Sequence, residues 1–345
     1  ALYRDRGRSR ADLSRELGLS RVTISEVVGD LLEDDLVVEL GTRADSRPGK
    51  PATMLDINRQ GHNIIGLDLS NSGSFAGVVT DLDGAVVARA EVDIPPALGN
   101  DGVLAAENLL QDLVALASRP VLGAGVGTPG IVDDRGVVVS APNLGWRDLP
   151  LQERLAAASG LPVSVANDAN AAVVGERSFG QGRPDTMLVR IGRGVGSGLM
   201  IDGRVVGGAR HAAGEIGHVV VGTDKGELCA CGNHGCLETW LAMPRIEAHL
   251  AEPGADRDAV LAEAGRRLGI VLAPIVSALN LSEVVLAGPN AEMSAPLLSA
   301  VESAVRDRTL ADTHAELRLR MTELGHDLVV LGAVVLVLRD RLGVA

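Results

Sequence analysis

The three cysteines of the 345-residue chain, Cys229, Cys231 and Cys236, fall within eight positions, and His218 lies 11 residues before the first of them. No other feature constrains the fold as much. Three thiols and an imidazole close a tetrahedral zinc site only where the intervening chain turns back on itself. Gly232 and Gly235 permit that turn. A disulfide with a spare thiol is one alternative, and the odd count and lack of a secretory signal in this sequence argue against it. Three buried, unliganded cysteines are the other, and the glycine spacing argues against that. The expectation is a structural Zn2+ on His218, Cys229, Cys231 and Cys236 in a cytoplasmic protein, with His234 as a competing fourth ligand. Four protein ligands leave no open position for water, hence a structural role.

The length points to two or more domains. Hydrophobic residues at 46% and 42 glycines suit a turn-rich α/β protein, and aromatics at 1% leave the core to Leu, Val, Ala and Ile. The net charge of -13 is uneven: residues 1–61 hold 10 basic and 11 acidic side chains, leaving 22 and 34 for the rest. A body at net -12 repels phosphate, so any contact with DNA must come from the first sixty residues. No segment approaches the roughly 20 apolar residues that span a bilayer, so no membrane association is expected. The longest candidate, Leu328 to Leu338, is bounded by Asp327 and Arg339 and reads as a buried helix.

Residues 1–60 read as a winged helix-turn-helix. Ser9 can cap a helix with Ala11, Leu13 and Leu17 inward, and Gly18 ends it. Ser20 caps a second helix with Val22, Ile24, Val27, Val28, Leu31 and Leu32 inward, which leaves Arg21, Thr23, Ser25 and Glu26 outward, of a length suited to a major groove. A three-helix interaction module is the plainer alternative. Leu36 to Leu40 is a wing strand. Beyond it Arg43, Arg47 and Lys50 sit in a Pro/Gly frame that is either a minor-groove arm or a linker.

From Gly61 onward, strands at Ile64–Leu69, Phe75–Thr80 and Ala85–Val92 form a meander, followed by a helix over Gly102–Ala117 and a strand over Leu122–Gly127. Val163 to Ala166 reads as a strand and Ala169 to Phe179 as a helix. Asn167 and Asp168 then stand where a helix N-terminus favours an ionised carboxylate, whether it caps the helix, accepts a ligand hydroxyl or acts as a general base.

The motifs Gly214-Glu215-Ile216-Gly217-His218 and Cys229-x-Cys231-Gly232-x-x-Gly235-Cys236-x-Glu238, with Ile191 to Leu199 and Asp202 to Gly208, resemble the ROK family of repressors, open reading frames and kinases. The resemblance spans nearly the whole chain. It implies a two-lobed actin-like ATPase fold, with residues 61–168 and 328–345 in the first lobe and 169–327, including the zinc stretch and a dimerisation surface, in the second. It implies sugar contacts at Asn167, Asp168, Glu215, His218 and Glu238, with Pro129, Gly130 and Asn143 as further ones. Trp146 and Trp240 either stack on the sugar or pack in the core. The family's phosphate loop, Asp-x-Gly-Gly-Thr, has become Asp68-Leu69-Ser70-Asn71-Ser72; Gly-Thr-Gly has become Gly192-Arg193-Gly194; the adenosine-side Gly-Gly has become Ala287-Gly288-Pro289. These departures imply a cleft that binds a sugar, or a sugar phosphate through Arg193, without phosphorylating it. The expected protein is a non-enzymatic, sugar-responsive regulator of carbohydrate genes, binding operator DNA through Ser20, Arg21, Thr23, Ser25, Arg43, Arg47 and Lys50 as a homodimer or homotetramer. The competing expectation is an ATP-dependent sugar kinase with an added DNA-binding head and Asp168 as its base.

Overall fold

The computed structural model describes residues 2–3, 5–42, 52–71, 73–94, 99–221, 226–288 and 291–344, without the side chains of 291–294. Arg43, Arg47 and Lys50 lie outside the described residues, as do Ser72 and Pro289.

The chain opens with β1 (Arg8–Ser9), α1 (Arg10–Leu17), α2 (Arg21–Glu33), β2 (Val37–Thr42) and β3 (Thr53–Ile57). Ser9 and Asp12 close a capping box: the Asp12 N–H donates to Ser9 Oγ at 3.2 Å and the Ser9 N–H to Asp12 Oδ2 at 3.1 Å. Gly18 then takes φ +67°, which ends α1 within one residue. Ser20 Oγ accepts from the Thr23 N–H at 3.1 Å and caps α2. The core of this unit is Leu2, Leu13, Ile24, Val28, Val37 and Leu55. Four residues expected to face inward are instead exposed: Ala11, Leu17 at 50%, Val22 at 67% and Val27 at 46%. A short helix buries only one stripe, and the i, i+4, i+7 series Ile24, Val28, Leu31 occupies it. β3, not anticipated in the sequence, lies centrally between β1 and β2, antiparallel to both.

A five-stranded sheet follows, in the order β11-β7-β4-β5-β6. It uses β4 (Asn63–Asp68), β5 (Ser74–Thr80), β6 (Val86–Asp93), α3 (Gly99–Leu116) and β7 (Val121–Thr128), then a small sheet of β8 (Ile131–Val132), β9 (Val138–Ala141) and β10 (Trp146–Leu149), then α4 (Leu151–Ser159) and β11 (Val163–Asn167). β4 pairs parallel to β7, and β7 to β11, so these three strands deliver their carboxyl ends, Asp68, Thr128 and Asn167, to one edge. Ligand sites in such sheets form at that edge.

The helix α5 (Asp168–Phe179) leads into the second five-stranded sheet, ordered β14-β13-β12-β15-β16. Its strands are β12 (Thr186–Ile191), β13 (Val195–Ile201), β14 (Arg204–Val205), β15 (Glu283–Ala287) and β16 (Arg318–Met321). Between β14 and β15 lie the cysteine stretch and the helices α6 (Glu238–Leu241), α7 (Met243–Leu250) and α8 (Arg257–Leu279); α9 (Ala291–Arg306) and α10 (Ala311–His314) precede β16. The last helix, α11 (Leu328–Leu342), is buried from Leu328 through Leu338 and packs on the first sheet and on α5. Glycines set that close approach: a Cβ on Gly125 would run into the Ala333 carbonyl, one on Gly66 into the Val330 carbonyl, and one on Gly332 into the Ala171 carbonyl of α5. Among the described residues no helix is long and apolar enough to cross a membrane.

Candidate ligand cleft and metal-binding cluster

Parallel pairing of β11 with β7 places Asn167 opposite Thr128, and α5 starts at the next residue. Asn167, not Asp168, is the helix cap: its Oδ1 accepts from the Ala169 and Asn170 N–H groups at 2.9 and 3.0 Å. Its Nδ2 donates to the Gly130 carbonyl at 2.9 Å and to Asp168 Oδ1 at 3.1 Å, so Asn167 fastens the Thr128-Pro129-Gly130 turn to the carboxylate. Gly130 has φ +93° and abuts Ser140 and Ala141 of β9, a fit no side chain would allow. Asn143 is exposed on the Pro142–Leu144 turn just beyond β9, and among the described residues no hydrogen bond ties it to the others.

Asp168 Oδ2 accepts a charge-assisted hydrogen bond from Arg190 Nη1 of β12. The sequence reading did not single out this arginine. Its signal was one basic residue in an otherwise apolar strand, Thr186-Met187-Leu188-Val189-Arg190-Ile191. Asp68, at the end of β4, is 4% exposed and accepts from the Ser70 N–H at 2.8 Å and from the Ser70 hydroxyl. Burial pushes its carboxyl above the usual range; Arg190 and the Ser70 hydrogen bonds oppose that, and Asp168 adds to it. Asp68, Asn71 and Arg190 line a cavity of about 510 Å³ together with the apolar Ala287, Met321, Leu328 and Val329. Gly192 and Gly288 border the same cavity, whereas Arg193 is exposed.

Glu238, the first residue of α6, accepts from the Val195 N–H at 3.0 Å through Oε2, and its Oε1 lies 3.6 Å from Cys229 Sγ. Glu215 is exposed, just before the Ile216–His218 turn. The protein mass around it raises its pKa, His218 opposes that, and Asp168 and Glu238 add to the rise, which places all four in one electrostatic neighbourhood. Trp146 is 4% exposed, donates Nε1–H to the Gly99 carbonyl at 2.7 Å and packs near Phe75. Trp240 is partly buried beneath the Arg267 guanidinium, 3.5 Å from its ring centroid, and stacks on His249. Both indoles are packing residues.

The sulfurs of Cys229, Cys231 and Cys236 and a ring nitrogen of His218 lie within 4.8 Å of one another. Cys229 Sγ is 3.5 Å from His218 Nδ1, and Cys231 Sγ is 3.6 Å from Cys236 Sγ. Tetrahedral zinc bonds of about 2.3 Å to sulfur and about 2.0 to 2.1 Å to nitrogen require edges of about 3.8 and 3.6 Å, so these four donors fit a metal. Burial and the two neighbouring thiols push the Cys236 thiol up to about 12. His234 is exposed and hydrogen-bonds the Gly226 carbonyl at 3.0 Å through Nδ1, outside the cluster.

The ROK family model matches residues 64–340, and the chain belongs to the ROK family. It is 29% identical over 372 aligned positions to a putative xylose repressor of Caldicellulosiruptor sp. strain Rt8B.4, covering 97% of this chain and 92% of that protein. Among solved structures, a ROK family transcriptional regulator, homologue of the E. coli MLC protein, superposes with a TM-score of 0.83 at 26% identity, covering 96% of this chain and 91% of the other. A ROK glucokinase from Streptomyces griseus, solved with glucose and AMPPNP, superposes with a TM-score of 0.67 at 27% identity. That match takes in 98% of the kinase but 79% of this chain. The mixed α/β architecture is therefore one shared by ROK regulators and ROK kinases.

Proposed function

We propose that this protein is a sugar-responsive transcriptional repressor in which residues 1–60 form a winged helix-turn-helix that reads operator DNA. The sugar lies between two lobes, residues 61–168 with 328–345 and residues 169–327, held by Asn167, Asp168, Glu215, His218 and Glu238, with Pro129, Gly130 and Asn143 at its rim. Zn2+ on His218, Cys229, Cys231 and Cys236 is structural. It would fix the His218 ring through Nδ1, leave Nε2 for a ligand hydroxyl, and brace Glu238 beside Cys229.

The observation that carries this reading is coverage. The likeness to the repressor and to the regulator runs through the head, over 97% and 96% of this chain, while the kinase likeness stops at 79%. The retained Asp168 and the 510 Å³ cavity favour a second reading, an ATP-dependent sugar kinase with an added head.

The test is fluorescence anisotropy on fragments of the gene's own upstream DNA, with a panel of pentoses and hexoses. At least one sugar should change DNA affinity by about 5- to 150-fold, the span of ordinary allosteric coupling. A sugar that is phosphorylated at the expense of ATP, with loss of turnover in Asp168→Ala, would establish the kinase reading instead.

A further inference from the structure

Asp168 has little acceptor capacity left. A carboxylate offers about four lone-pair positions. Oδ1 is filled by the Ala169 N–H at 2.9 Å and Asn167 Nδ2 at 3.1 Å, and Oδ2 is held by Arg190. The pair is sheltered, with side-chain exposures of 21% for Arg190 and 13% for Asp168, so salt screens it weakly. Arg190 also lines the same cavity as Asp68, the buried carboxylate at the end of β4, and its charge favours that carboxylate's ionised form, which burial opposes. Among the described residues lining the cavity, the other basic side chain is His326, 88% exposed. Arg193, the residue through which a phosphate was expected to bind, is exposed.

We infer that Arg190 is the cleft's built-in counter-ion: it occupies the position a metal cation or a ligand phosphate would claim, and it makes the cleft select an uncharged sugar over that sugar's phosphate ester. The inference rests on the reading of Asp168 as a sugar ligand. A neutral hydroxyl needs only the remaining lone pair of Oδ2. A phosphate ester would bring about two further negative charges to a neighbourhood in which Asp168 lies among Asp68, Glu215 and Glu238 and its hydrogen-bonded cation is Arg190. Removing Arg190 would leave Asp68 and Asp168 without compensation, and an added divalent cation could then take its place.

The experiment is calorimetry on the zinc-loaded full-length protein, with each neutral pentose or hexose titrated beside its own phosphate ester, with and without Mg2+. The sugar that binds should exceed its ester in affinity by about a hundredfold, because like-charge juxtaposition is costly in a desolvated site. Mg2+ should leave the wild type unchanged. Arg190→Met should bind the neutral sugar about tenfold more weakly, with Mg2+ restoring part of the loss; Arg190→Lys, which keeps the charge, should retain the preference for the neutral form. An ester that binds as tightly as its sugar, or Arg190→Met with wild-type affinity, overturns the inference and leaves the sugar reading standing. Loss of binding in Arg190→Met that Mg2+ fails to restore reduces Arg190 to a structural prop. If neither sugars nor esters bind, the sugar reading falls and this inference falls with it.

Discussion

Cys236 is fully buried and Cys231 is exposed, so the cluster is solvent-accessible on one side and anchored on the other. Bound zinc would let all three thiols ionise, including that of Cys236, which burial and the sulfurs of Cys231 and Cys229 push up. Cys231→Ser should therefore lower the bound zinc, read by metal analysis of the purified protein, and lower the melting temperature. The loss should reach the sugar through His218 and Glu238, weakening affinity by about 10- to 100-fold as is usual when a ligand's support is removed. A zinc-free Cys231→Ser protein with unchanged sugar affinity would deny the bracing role. The gathering of His218 with the three cysteines was legible because cysteine spacing is a local signal. Arg190 was not, because its partner Asp168 lies 22 residues earlier and only the pairing of sheet with helix brings them together. The tryptophans misled in the other direction: nearness in sequence to a ligand motif says nothing about which side of the backbone the ring takes.

Among the helices α11 links the most distant parts. Its 15 residues span about 22 Å at 1.5 Å per residue. Leu328 and Val329 at one end line the cleft, and Val337, Leu338 and Leu342 towards the other pack with Tyr3, Leu36 and Ile57 beside the head. Gly66, Gly125 and Gly332 let it lie against sheet and helix backbone, so Gly125→Ala must lift α11 off β7, at a cost of about 1 to 3 kcal/mol or more. A lower melting temperature, with weakened coupling between sugar and DNA, is the expected result. Gly29→Ala, in α2 with nothing within 4 Å of the new methyl, should go the other way and stabilise the head by about 0.5 to 1 kcal/mol. Equal melting temperatures for wild type and Gly125→Ala would show that α11 is not seated as described. The apolar run from Leu328 announced a buried helix in the sequence, but its register against Gly66 and Gly125 is a tertiary property. The head shows the same division. Caps at Ser9 and Ser20 were readable from short-range chemistry, whereas the exposure of Leu17, Val22 and Val27 depended on which stripe met the three-stranded sheet.

At the scale of the molecule, charge and geometry divide the labour. Residues 62–345 carry net -12, so the body repels DNA and the head must supply every phosphate contact. Much of the head's positive charge is already committed: Arg6 pairs with Asp83, Arg8 with Asp5, Arg10 with Glu39 and Arg15 with Asp12. Arg21, at the start of α2, has no ion-pair partner among the described residues, and Arg43, Arg47 and Lys50 follow in the basic segment. The head is also tied to the body. Tyr3 donates its hydroxyl to the Leu82 carbonyl at 2.8 Å, and Arg59 bridges Asp83 and Asp56 beneath the Tyr3 ring. A dimer would then present two heads at a separation set by the bodies, with about eight basic side chains for phosphate. At roughly -0.9 per contact, log affinity should fall with log salt at a slope of about -7 between 50 and 200 mM. Lys50→Ala removes two of those contacts per dimer and should flatten the slope by about 2, weakening all DNA sequences alike. Thr23→Ala, on the face proposed to meet base edges, should narrow the gap between operator and random DNA with the slope intact. A slope insensitive to Lys50→Ala would move the phosphate contacts out of the basic segment. Were the slope to persist after removal of residues 1–60, the contacts would lie on the body, against the sign of its charge.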